Sequence, residues 1–323
     1  MKEVTPPSEG TSPNLPASPC PVCARGEHRL WAIAKDYEYC TTGDEEFLYF
    51  ECRQCKTIYL DPMPVDRLGV IYPENYYSFL KRPSGLVHKL KGLLDRRVFQ
   101  EAMTNIQGNA LRALDVGGGT GWMLNALKEA DSRVCETQVV DLDPKAKAQA
   151  ENDGHRYFCG RIEDFQSDER FHVILALNLI EHVADPLAML RHFRELLTDD
   201  GVVILKTPNV DSIDARLFRT SYWGGLHCPR HWVLFNDTSI RKGIQSSGLR
   251  VRKLCFTQGA PFWTWSTLIA LRRSGIVRID KERPVMQHPL HDLLQALFAG
   301  IDFLRAPFSK TSQMFLVLER GPR

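Results

Sequence analysis

Apolar positions along this chain fall into short runs set apart by stretches of mixed polarity. Leu111–Val116, Thr137–Val140, Val173–Ala176, Val202–Leu205 and Leu249–Phe256 are each of strand length, and the intervals between them carry helical spacing. Strands alternating with helices predict βαβ units and an α/β fold on a parallel sheet. Gln313–Glu319 reads as a last strand. Before it, residues 260–310 break the rhythm with two apolar helical segments. In the second of them Leu290, Leu293, Leu294, Leu297, Phe298 and Ile301 share a face, opposite His291, Asp292, Gln295 and Asp302. The expectation is that this face packs on its own domain. The alternative is a lid lying on a membrane surface.

Upstream the pattern changes. Residues 1–19, rich in Pro, Ser, Thr and Glu without periodicity, read as a disordered tail. Residues 20–60 place Cys20-Pro21-Val22-Cys23 and Cys52-Arg53-Gln54-Cys55 around the strand-like Phe47–Phe50. Residues 61–110 read as a helical connector carrying Tyr72, Tyr76, Tyr77 and Phe79. The main domain then occupies 111–323, with 260–310 as an insertion. Two sequential Cys-x-x-Cys pairs can set four thiolates tetrahedrally about one Zn²⁺, a closed and therefore structural site with Cys20, Cys23, Cys52 and Cys55 as ligands. A module of about 40 residues lacks the apolar core to fold alone, and the metal makes up the difference. Cys40, Cys135, Cys159, Cys228 and Cys255 are scattered and suggest no shared chemistry.

Composition narrows the class. Lys plus Arg number 41 against 39 Asp plus Glu, a formal charge of +2. That balance argues against nucleic acid and gives no sign of an acidic membrane as dominant partner, while leaving local basic patches open. No apolar core of a secretory signal follows Met1. Ala260–Leu271, the longest apolar stretch, is interrupted by Thr264 and Ser266 and falls short of the ~20 residues a membrane span takes. A cytoplasmic place is expected, with peripheral contact at the inner membrane face through 260–310 as its variant. Thiols stay reduced there, which favours metal ligation over disulfides.

The sharpest motif is Asp115-Val116-Gly117-Gly118-Gly119-Thr120-Gly121, between a buried strand and the helical Trp122–Leu127. Glycines let backbone pass close to a ligand at positive φ, and the helix start offers free N–H groups. The next strand ends in Asp141-Leu142-Asp143-Pro144. A carboxylate at such a strand tip accepts hydrogen bonds from both ribose hydroxyls of a nucleoside cofactor. Asp141 suits that role, with Asp143 as the near alternative, and one of the two caps the helix beginning at Pro144.

The spacing Asp-x-Gly-x-Gly-x-Gly resembles motif I of class I S-adenosylmethionine-dependent methyltransferases more than the dinucleotide fingerprint. Residues 20–256 as a whole resemble the methyltransferase type-11/type-23-like family, common in polysaccharide, lipid and natural-product biosynthesis. The resemblance is carried by that loop, by Glu181-His182-Val183-Ala184-Asp185-Pro186, by Thr207-Pro208-Asn209, and by Trp223, Pro229-Arg230-His231 and Phe235. It implies a Rossmann-like seven-stranded sheet with a reversed last hairpin and S-adenosylmethionine as cofactor. It also implies that Asp115, Gly117, Gly119 and Gly121 cradle that cofactor, that Ile162 or Glu163 meets the adenine through backbone N–H, and that Asn178 lines the methyl site.

The reaction expected is methyl transfer to a small-molecule, glycan or lipid-linked acceptor, at oxygen. A hydroxyl needs a base, and the candidates are His182 and His231. His231 stands ahead because the loop carrying Tyr222, Trp223 and Arg230 should face the acceptor, although histidines so placed are commonly structural. No Asn/Asp-Pro-Pro-Tyr/Phe element follows the fourth strand, which argues against amino-methylation of flipped bases. The rivals are an RNA methyltransferase with a zinc module, a nicotinamide-dependent reductase, and a silent scaffold binding a protein partner.

Overall fold

The computed structural model describes residues 18–73, 96–219 and 222–322. The tail up to residue 17, and the connector residues 74–95 with Tyr76, Tyr77 and Phe79, lie outside the described residues. Strands β1 (His28–Ala34), β2 (Phe47–Cys52) and β3 (Ile58–Leu60) form an antiparallel meander. After α1 (Leu68–Ile71) and α2 (residues 96–103), the chain alternates through β4 (Leu111–Val116), α3 (Trp122–Ala130), β5 (Val134–Asp141), α4 (Pro144–Asn152), β6 (Arg156–Cys159), β7 (Phe171–Leu177), α5 (Pro186–Leu196) and β8 (Leu197–Pro208). It ends with α6 (Ile213–Phe218), β9 (Val233–Leu234), α7 (Asp237–Ser246), β10 (Leu249–Thr257), α8 (Ala260–Arg273), α9 (His291–Arg305) and β11 (Gln313–Arg320).

Among the described residues the main sheet has seven strands in the order β10-β11-β8-β7-β4-β5-β6. Pairing is parallel from β6 through β8, and β11 runs antiparallel to both its neighbours. The chain winds outward from β4 to β6 and then returns to β7 on β4's other side. The order therefore reverses at β4 and β7, and ligands of such sheets bind beyond the carboxyl ends of the strands at that point.

Alternation along the strands fills both faces. Val173 and Leu175 join one buried cluster with Leu124, Leu127 and Phe99, while Ile174 and Ala176 join the other with Leu190 and Phe193. Strand β6 was not among the apolar runs because none of its residues is buried. Strand β8 is longer than Val202–Leu205 because it also takes in the polar Thr198-Asp199-Asp200 before that run and Lys206-Thr207 after it.

The N-terminal meander is built into the larger unit. β3 pairs with β9, Ile58 opposite Leu234 and Tyr59 opposite Val233, so its four-stranded sheet takes one strand from beyond β8. Arg230, fully buried, makes a two-pronged ion pair with Asp36 at 3.1 and 3.2 Å. Its guanidinium also lies 4.5 Å from the centre of the Tyr39 ring.

The expectation for α9 is overturned. Leu294 and Phe298 pack, but Leu290, Leu293, Leu297 and Ile301 are exposed, while His291 and Asp302 from the polar side are buried. The Asp302 carboxylate explains the inversion. It accepts the Gly259 N–H at 2.7 Å and pairs with Arg305 at 2.7 Å, so the polar side is the one with partners inside. No described helix is long and apolar enough to cross a membrane.

Candidate active site

The glycine loop leaves β4 at the switch point. Gly117, Gly119 and Gly121 all hold positive φ, at 72°, 53° and 76°. A Cβ on Gly121 would sit 2.4 Å from the His155 ring, so that position must stay bare for packing. Nothing lies within 4 Å of where a Cβ on Gly119 would project, so there the backbone faces open space. Asp115 is buried beneath the loop, its carboxyl filling the space a Gly118 side chain would need.

Asp141 sits at the tip of β5 with one oxygen on the Gly119 N–H at 2.8 Å and the other on the Asp143 N–H at 2.9 Å. Each oxygen keeps a second lone pair, which suits a vicinal diol. Burial pushes its carboxyl above the ordinary value, against the pull of these N–H groups. Asp143 caps α4 through the Lys145 N–H at 2.9 Å. The turn Ile162–Asp164 follows β6, beside Gly160, whose N–H donates to the Asp141 carbonyl at 2.9 Å; Ile162 is buried and Glu163 exposed.

Across the crevice, Asn178 follows β7 in the left-handed region at φ 57°. Its amide donates to Glu181 at 3.3 Å, and its backbone N–H to Lys206 at 2.8 Å. Leu179 lies under Gly117, and the turn Ile180–His182 follows it. Glu181 is fully buried, accepts the Thr207 hydroxyl at 2.9 Å, and stands 3.9 Å from His231 Nε2. Burial raises its carboxyl to about 7.

His182 Nδ1 lies 3.0 Å from the Arg230 carbonyl and 2.9 Å from the Tyr72 hydroxyl. A carbonyl can only accept, so Nδ1 carries the proton and Nε2 keeps a bare lone pair. The same logic applies to His231, whose Nδ1 donates to the Gly225 carbonyl at 2.8 Å. The two rings meet edge to face at 4.6 Å, and Glu181, His182 and His231 bring one donor atom each within 4.8 Å of one another. Burial lowers His182 to about 3 and His231 well below its ordinary value, so both are neutral. His182 is half-buried, whereas His231 is buried behind it.

The four cysteines converge as well. Cys20 Sγ lies 3.5 Å from Cys55 Sγ, and Cys23 Sγ 3.5 Å from Cys52 Sγ, with all four within 4.8 Å of one another. Ligands of tetrahedral Zn²⁺ at a Zn–S distance of ~2.3 Å stand roughly 3.8 Å apart, so the donor set and its spacing fit that ion. The two turns are alike in backbone. The residue after each pair, Ala24 or Lys56, holds φ of 56° or 63° and donates its N–H to the first cysteine's carbonyl.

The family model described as a methyltransferase domain, Methyltransf_23, matches residues 82–254. The chain belongs to that family. It is a class I S-adenosylmethionine-dependent methyltransferase chain in fold, with β11 in the reversed position the resemblance implied. A ubiquinone biosynthesis O-methyltransferase of Bradyrhizobium sp. (strain ORS 278) is 31% identical over 140 residues, 38% of this chain and 53% of that protein. The protein of the same name from Cereibacter sphaeroides (strain ATCC 17025 / ATH 2.4.3) is 36% identical over 103 residues, 31% of this chain and 42% of that one. The chain thus spans about half the length of the curated relatives it matches. Among solved structures, the plantazolicin methyltransferase BpumL in complex with SAH aligns at a TM-score of 0.46 and 12% identity, over 72% of this chain and 84% of that one.

In this chain the loop 222–231 is not the acceptor-facing surface expected of it. Tyr222, Trp223, Arg230 and His231 are all buried, and Trp223 donates its ring N–H to Asp214 at 2.7 Å. The loop is a brace under the site because its polar groups find partners inside. Sequence reasoning missed Glu38 and His227, both buried, which are hydrogen-bonded to each other. Tyr222 donates to the other Glu38 oxygen at 2.8 Å, and the His227 ring lies 5.0 Å from that of His231. Burial raises the Glu38 carboxyl to about 8 and keeps His227 neutral. No local pattern could have paired residues this far apart in the chain; a buried glutamate in a short aromatic run, Tyr37-Glu38-Tyr39, was the only hint.

Proposed function

We propose that this chain transfers a methyl group from S-adenosylmethionine to a hydroxyl of a small-molecule, glycan or lipid-linked acceptor, with His182 as the proton acceptor. The observation that carries the proposal is the half-buried His182, with its bare Nε2, seated on the turn that follows β7 and Leu179, the neighbour of Gly117 in the glycine loop. The relatives' name, O-methyltransferase, favours oxygen as the methylated atom. When bound, the cofactor supplies an electrophilic methyl on a sulfonium. The open backbone at Gly119 leaves room for it, Asp141 accepts its ribose hydroxyls, the 162–163 backbone meets its adenine, and Asn178 borders its methyl end. Holding acceptor oxygen and methyl in line contributes roughly 7–11 kcal/mol in favourable cases. A base adds ~10²–10⁴-fold when its pKa lies near the working pH, so His182, lowered by burial, contributes at the bottom of that range or below it. The Arg230 carbonyl and the Tyr72 hydroxyl on Nδ1 set the orientation of His182, and the His231 ring packs against it edge to face. Cys20, Cys23, Cys52 and Cys55 would hold a structural Zn²⁺ that fixes the N-terminal module.

The test follows release of S-adenosylhomocysteine with catechol, 4-hydroxybenzoate and a methyl hexoside as acceptor probes. The His182→Ala variant is expected to lose about tenfold or more in turnover while binding S-adenosylhomocysteine within a factor of a few. Loss confined to His231→Ala would move the role to His231. Full turnover in both variants would remove the base from the account, and no turnover with any hydroxylated probe would remove oxygen.

A further inference from the structure

Helix α9 presents to solvent the side a buried helix would hide. Leu293, Leu297, Ile301, Leu304 and Phe308, spaced four, four, three and four residues apart, form one stripe and are 67%, 54%, 41%, 73% and 87% exposed. The stripe does not stand alone. Phe218 of α6, Trp263 of α8 and Phe298 of α9 form a chain of ring contacts at 6.0 and 5.3 Å. Ile213 and Leu217 on α6 are also exposed, at 50% and 63%. Helices α6 and α9 therefore both carry exposed apolar residues, with the half-buried Trp263 of α8 packed between them. Patches of this extent mark docking sites in soluble proteins, since scattered single residues do not line up along a helix.

The rim of this surface selects the occupant. Lys310 and Arg216 both reach the single carboxylate of Asp211, at 3.4 and 3.1 Å, which leaves one positive charge in excess. Arg219, exposed, donates to the Trp31 carbonyl at 3.3 Å and lies on that ring at 5.4 Å, contacts that leave its charge in place. Apolar side chains flanked by arginine and lysine are the composition of a surface lying in a headgroup layer. A second copy of the chain would set this cationic edge against its like.

We propose that the face formed by α6 and α9 docks on an anionic phospholipid bilayer. The apolar stripe enters the acyl boundary, and Arg216, Arg219 and Lys310 meet the phosphates. Vesicle binding needs neither cofactor nor acceptor, so it stands or falls apart from the methyl-transfer proposal.

The experiment is co-sedimentation of the whole chain with vesicles of phosphatidylglycerol and phosphatidylcholine in equal parts, and with phosphatidylcholine alone. The wild type is expected to pellet with the anionic vesicles and far less with the neutral ones. Leu293→Asp with Leu297→Asp is expected to cut binding about tenfold or more, and Phe308→Asp, beyond the helix end, to weaken it without touching the fold. Lys310→Gln is expected to cost about fivefold, an effect that raised salt abolishes. No binding to anionic vesicles, or binding that these substitutions leave unchanged, overturns the proposal. So does elution of the wild type as a dimer that Leu293→Asp with Leu297→Asp dissociates, which would make a second copy the occupant.

Discussion

Glu181 shows what a buried carboxyl does at the scale of one residue. It is faced by the Thr207 hydroxyl, the Asn178 amide and the neutral His231 ring, with Lys206 contributing from β8. Burial outweighs these and raises its pKa from an ordinary 4.5 to about 7. Between those two values the folded chain holds a proton that the unfolded chain has released, so its contribution to stability falls as pH rises and levels off above about 7. Glu181→Gln removes that dependence. Its melting temperature relative to wild type is therefore expected to climb between about pH 5 and pH 8, equivalent to a free-energy change on the order of 3 kcal/mol. A difference that stays flat across that range would show that Glu181 is ionised throughout.

The two aspartates after β5 separate in the same way. Asp141→Ala is expected to weaken S-adenosylhomocysteine binding by about 1–3 kcal/mol in calorimetry, because it removes the acceptor proposed for the ribose and the anchor of the Gly119 N–H. Asp143→Ala loses only a helix cap, about 1 kcal/mol of stability, with affinity retained. The opposite pattern would exchange their roles.

At the scale of elements, the N-terminal module brings its four cysteines together and is held to the larger unit by the β3–β9 pairing and by the buried Asp36–Arg230 pair. Asp36 also accepts the Thr41 N–H and hydroxyl at 2.8 and 2.7 Å, and the arginine beside it helps hold its carboxyl below the ordinary range against the cost of burial. Removing one member of such a pair strands the other. Asp36→Ala is expected to destabilise the whole chain by about 3–5 kcal/mol, read as one earlier unfolding transition. A separate early transition of a minor part would show that the module unfolds by itself. Elemental analysis is expected to find one zinc per chain, and Cys52→Ser to lose it with a lower melting temperature. Metal-free wild type purified without chelator would contradict that ligand set.

Taken whole, the molecule was most legible where local pattern and burial coincide. The runs at Leu111–Val116 and Val173–Ala176 are central parallel strands buried on both faces; the second is uniformly apolar and the first is interrupted only by Arg112 and Asp115, so both stand out. The glycine loop and the cysteine pairs were readable because their function needs fixed residue types at fixed spacing. Strand β6 and the two-residue β9 carry no such signal. The inverted packing of α9 was hidden because one carboxylate, Asp302, outweighs the apolar stripe through partners that sequence periodicity does not show. The Glu38–His227 contact belongs to the same class, joining the N-terminal module to the brace beneath His231.

The account rests on what the crevice between β4 and β7 holds, and calorimetry on the purified chain tests it most directly. Titration with S-adenosylhomocysteine is expected to give saturable binding at one site per chain, weakened about 5–150-fold in the Asp141→Ala variant, while NADH and NADPH give no heat beyond dilution. Binding of either nicotinamide cofactor in place of S-adenosylhomocysteine, or binding of none of the three, would contradict it.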